Sequence, residues 1–174
     1  SSKHKDDKNE NPFDKVNNIV AHLLTNLTSS MRFEGTLNVD LNEITTNLVP
    51  YPKLHFLLSS MAPLYSLYDV NVSTADQMFH DVFSKHNQII DSDPRHGRYL
   101  ACALMVRGNV EISEINWNIN KIKKKLDMIY WNTEGFKVGI CDVPPIGQDR
   151  SLLCLANNCC MSKVFKRIMT QFNK

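Results

Sequence analysis

Apolar residues at Val16, Ile19, Val20, Leu23, Leu24, Leu27 and Met31 recur at the three- and four-residue spacing of one helix face. Asn11-Pro12 is a helix start, with Asp14 just inside the first turn, so the spacing predicts a helix from Pro12 to Arg32. A polar loop held by Gly35 follows. A short helix is expected from Asp40 to about Leu48, where Val49-Pro50-Tyr51-Pro52 forces extended backbone. Lys53 to Ser60 reads as a strand buried on both faces, because apolar residues dominate it. Thr74 to Ile90 reads as a helix with Met78, Val82 and Phe83 on one side, and Tyr99 to Val106 as a second buried strand. Ile112, Ile115, Ile119, Ile122 and Leu126 form the stripe of a helix over 111–126. Strands are expected near Met128–Trp131, Lys137–Cys141 and Ser151–Ala156, then a last helix from Met161 through Val164, Ile168 and Phe172. This order predicts an α+β fold: a mixed β-sheet flanked by helices and preceded by one long core helix.

Composition narrows the function classes. A length of 174 residues is one domain's worth, and the stretch 1–11 is polar throughout and reads as a tail. A formal charge of +2 does not make a nucleic-acid surface. No apolar run has the length of a membrane span, and no secretory leader is expected. The five cysteines include an adjacent pair, Cys159-Cys160, and no Cys-x-x-Cys, so neither a disulfide framework nor a zinc site is expected. The sequon at Asn26 falls inside a helix pattern, and a second lies at Asn71. The six histidines show no ligand spacing, so no metal is assigned. Trp117 and Trp131 are expected in the core or at a domain edge. Lys121, Lys123, Lys124 and Lys125 lie near a helix end, where cations complement the dipole; an acidic partner surface is the other reading.

The chemistry concentrates in Arg32-Phe33-Glu34-Gly35-Thr36-Leu37-Asn38-Val39-Asp40-Leu41-Asn42-Glu43. Asp40 and Glu43 are three apart and share a helix face. Two readings stand. The pair is an acidic capping box that satisfies free N–H groups, or it holds and polarises a water against an anionic substrate. Phe13 and Asn17, four apart, read as a hydrophobic staple and a surface amide.

The same segment resembles the loop by which one tubulin subunit reaches the nucleotide of its neighbour. The resemblance continues through Asn47 to Phe56, Asp93-Pro94-Arg95-His96-Gly97-Arg98-Tyr99, Gly135 to Ile140 and Val143-Pro144-Pro145. Asn17 to Ala21, Asn26 to Ser30 and Tyr99 to Val110 look closest to the family's epsilon branch, and the match covers roughly residues 11 to 174.

The resemblance implies that Phe13 stacks on guanine and Asn17 reads the base edge. It makes Glu43 the acid that activates water across a subunit interface, with Asp40 beside it and Gly35, Leu37 and Asn38 in the interface loop. It implies GTP or GDP in the full-length protein, other tubulin subunits and centriolar proteins as partners, and a cytoskeletal place at centrosomes, centrioles or basal bodies. The six glycines are scattered and form no phosphate loop. The chain therefore reads as a fragment: a tail over 1–11, a core helix over 12–32 and the intermediate domain over 33–174, cut before its closing helices. No cofactor and no GTP hydrolysis are expected of it alone, and it is expected to self-associate through the uncovered core helix or to pack that helix differently from its place in an intact tubulin. Tyr65 to Val72 is shorter than the lateral loop of alpha and beta tubulins, and Gly147 to Arg150 is short in the beta manner. An alpha-type lattice subunit and a nucleotide-free interaction module are the alternatives.

Overall fold

The computed structural model describes residues 12–64 and 74–173. The Tyr65–Val72 segment, the sequon at Asn71 and the tail over 1–11 lie outside them. Four strands form one mixed sheet in the order β1-β4-β2-β3: β1 Leu58–Ala62, β2 Tyr99–Gly108, β3 Phe136–Cys141 and β4 Arg150–Asn158. β4 runs antiparallel to both β1 and β2, whereas β3 lies parallel to β2 at the opposite edge. Among the described residues six α-helices complete the fold: α1 Pro12–Leu27, α2 Ser29–Arg32, α3 Leu41–Leu48, α4 Ala75–Val82, α5 Ile112–Lys123 and α6 Met161–Phe172. This is the α+β architecture that the sequence implies.

Strand alternation sorts the core into two layers. Cys102, Leu104, Val106, Leu152 and Cys154 face α4 and α5. Ala101, Ala103, Met105, Leu153 and Leu155 face Ile44 and Leu48 of α3 and Leu23 and Leu27 of α1. Covered on both sides, β2 has no exposed residue, which is why its sequence is apolar from Tyr99 to Val106.

Four expected elements differ. The predicted helix over 12–32 breaks at Thr28. Thr25 and Thr28 hydroxyls bond back to the Ala21 and Leu24 carbonyls, and Arg32 Nη2 takes the Thr25 carbonyl at 2.5 Å. Such side-chain bonds compete with the helix ladder. The strand expected from Lys53 starts only at Leu58, after an irregular stretch whose Leu54 carbonyl accepts from Asn157 at 2.7 Å. The helix expected to reach Ile90 stops at Val82. The chain instead turns to cover the free edge of β1: Ile89 N–H donates to the Ser59 carbonyl at 2.9 Å, and Asn87 Nδ2 to the Met61 carbonyl at 2.9 Å. An unpaired edge leaves backbone groups that must find partners, and these residues supply them. At Met128 there is only a single bridge to Tyr99, not a strand.

Candidate functional site

The loop from Phe33 to Asp40 is fastened to the outer edge of β3. Leu37 exchanges backbone hydrogen bonds with Ile140, at 3.4 Å in one direction and 2.8 Å in the other. Gly35 makes this approach possible: a Cβ there would strike the Ile140 carbonyl and lie 2.8 Å from Cys141 Cα. Thr36 Oγ1 donates to Asp142 Oδ1 at 3.1 Å, and buried Val39 pins the far end by packing over Gly139. Asn38 stays exposed at the loop surface.

Asp40 then caps α3. Its Oδ1 accepts the backbone N–H of Glu43 at 2.6 Å, with extended backbone at the cap itself. The capping reading of the two acids thus holds for Asp40. Glu43 has a different environment: its carboxylate is about half exposed and lies 3.8 Å from Lys137 Nζ on β3. The cap leaves that carboxylate outside the helix hydrogen bonds, at the open mouth of the loop.

Phe13 and Asn17 are both exposed on the first turns of α1. They are not brought to the loop. Sixteen residues of α1 alone are about 24 Å long, and α2 and the loop come after them. The predicted site residues therefore form two groups, one at each end of the leading helices.

Arg107, which no local pattern marks, is 4% exposed and ties these parts together. Its guanidinium donates to Asn26 Oδ1 on α1 at 3.0 Å and to the Val143 and Pro144 carbonyls at 3.1 and 3.2 Å. It also lies over the Phe33 ring, 5.6 Å from its centre, at the root of the loop. No carboxylate pairs with it among the described residues; burial pulls its pKa down from the usual guanidinium range. Asn26, the sequon residue, is 3% exposed because it serves this network. Lys137 was equally unmarked. Its only signal is a lone charge in the strand Phe136-Lys137-Val138-Gly139-Ile140. No cluster of His, Cys, Asp and Glu among the described residues is arranged to hold a metal. Trp117 and Trp131 are exposed, at the surface rather than in the core.

The tubulin C-terminal domain family matches residues 52–170. The chain belongs to the tubulin family. It is 57% identical over 165 residues to the tubulin epsilon chain of Mus musculus, covering 94% of this chain and 35% of that one. Against the tubulin epsilon chain of Homo sapiens the identity is 56% over 167 residues, covering 95% and 35%. The nucleomorph tubulin alpha chain of Guillardia theta is 38% identical over 174 residues, covering 92% and 39%. This tubulin chain thus spans little more than a third of the length of these relatives, and the matched part is the family's C-terminal domain. It is a tubulin-family cytoskeletal protein, more similar to these epsilon chains than to the alpha chain.

Proposed function

We propose that this chain is part of an epsilon-type tubulin whose loop over 35–43 meets the guanine nucleotide held by a neighbouring subunit. The observation that carries this reading is the division between the two acids. Asp40 Oδ1 is occupied by the cap, while Glu43 projects an exposed carboxylate from a loop that Gly35, Leu37 and Val39 fix to β3. A fixed, solvent-facing carboxylate at an interface suits general-base or electrostatic assistance to a water attacking the partner's phosphate. In this reading Asn38 and the remaining oxygen of Asp40 orient that water. The chain supplies this acid in trans and performs no hydrolysis alone.

Phe13 and Asn17, at the far end of α1, serve the parent's own GTP or GDP. An exposed ring for stacking and an exposed amide on the same face suit a purine base. The partners in this reading are other tubulin subunits and centriolar proteins. Similarity of 56–57% to epsilon chains, against 38% to an alpha chain, favours centrioles or basal bodies as its place.

Glu43→Ala in the full-length protein is expected to leave folding intact and slow GTP turnover by the partner at least tenfold. Normal turnover in the mixed assembly would reject the role of Glu43. In the same preparation Asn17→Ala is expected to lower retained guanine nucleotide. The tagged full-length parent is expected at centrioles or basal bodies, and signal along all microtubules would make it a lattice subunit instead.

A further inference from the structure

On the sheet face opposite α3 and the loop, α4 and α5 do not close fully against each other. A cavity of about 540 Å³ lies between them, inside the range of about 300–1,000 Å³ typical of ligand pockets. Phe79, Phe83, Ile122 and Leu126 line it with apolar surface. The charged lining is mostly basic: Lys85, Arg95, Lys121 and Lys125 stand against a single carboxylate, Asp76.

The bland account covers only part of this. Lys121 and Lys123 complement the C-terminal end of α5, and Lys123 is already paired with Glu134. Lys85 belongs to a separate turn that follows α4, out of reach of that dipole. Lys85 and Lys125 form no ion pair among the described residues. Arg95 is held by Asp93 at 2.7 Å, and Lys121 reaches across the cleft to Asp76 at 2.5 Å. The Asp76–Lys121 pair is half exposed on both sides, and such pairs are weak enough for an incoming carboxylate to displace.

We infer that the cleft between α4 and α5 is a docking groove for an acidic segment of a partner protein that carries an apolar anchor. Carboxylates meet Lys85, Lys121 and Lys125, and the anchor side chain packs on the half-buried Phe83 and Leu126. The apolar lining selects a peptide over a small anion, because phosphate has nothing to place against the half-buried Phe83 and Leu126. This inference is independent of the nucleotide reading, since the groove and the loop lie on opposite faces of the sheet.

Calorimetric titration tests it, using this chain and a capped octapeptide in which glutamates flank one phenylalanine and one leucine. Saturable binding is expected. It should weaken at least tenfold in the charge-reversed variant K85E/K125E, whose two sites are exposed and outside the core. It should weaken similarly when the peptide's glutamates become glutamines or its two anchors become alanines. Absence of saturation at millimolar peptide, or equal affinity in the charge-reversed variant, would overturn the groove. Equal binding of the alanine peptide, or displacement by tripolyphosphate at matching affinity, would reduce it to a simple anion site and overturn the peptide assignment.

Discussion

Asp40 and Glu43 look interchangeable in the sequence, two acids on one helix face. The fold gives them separate work. Asp40 bonds to the helix it starts, while Glu43 points outward to Lys137. Their stability effects should differ accordingly. Loss of an N-cap carboxylate costs about 1 kcal/mol, whereas a change at an exposed helix position usually stays within about 0.5 kcal/mol. Asp40→Ala is therefore expected to lower the thermal midpoint by about 2–4 °C and Glu43→Ala by much less. Equal midpoints for the two variants in a melting experiment would show that the cap contributes nothing. The cap was legible because it needs only a three-residue spacing. Lys137 was not, because its place beside Glu43 depends on how a distant strand registers against the loop. Arg107 was hidden for a related reason: nothing local shows that a cation in an apolar strand will find three neutral oxygens.

Among the elements, those with long periodic stripes were readable. The Ile115, Ile119 and Ile122 stripe became the buried face of α5, and the apolar run from Tyr99 became β2. Expected boundaries failed where a tertiary contact outbid local preference. The stretch after Val82 has helical composition, yet the open edge of β1 draws Asn87 and Ile89 away from the helix. Thr25 and Thr28 interrupt a hydrophobic period that continues without a gap through Met31. Periodicity reports which face is buried; it does not report where the backbone finds its hydrogen bonds.

At the scale of the molecule, two helices carry apolar faces that the other described residues leave exposed. On α1, Val16, Val20 and Leu24 are each between 43 and 55% exposed. On α6, Phe165, Ile168, Met169 and Phe172 are between 42 and 89% exposed, and Phe56 stacks edge-on against Phe165 at 4.7 Å. Full burial of one such side chain contributes about 1.5–3 kcal/mol. This chain alone is therefore expected to self-associate at micromolar concentration, and Val16→Lys with Val20→Lys should weaken the association. A single monomeric species in sedimentation across that range would sink the expectation.

The dryness of the sheet also has a consequence during synthesis. β2 is complete at Gly108, but β4, which covers its other edge, begins only at Arg150. At about 5–20 residues per second, the ribosome leaves this ten-residue apolar segment without its central neighbour for seconds. In that interval the segment is a ready template for pairing with another nascent copy. Closely spaced ribosomes on one message are therefore expected to lower the yield of folded chain.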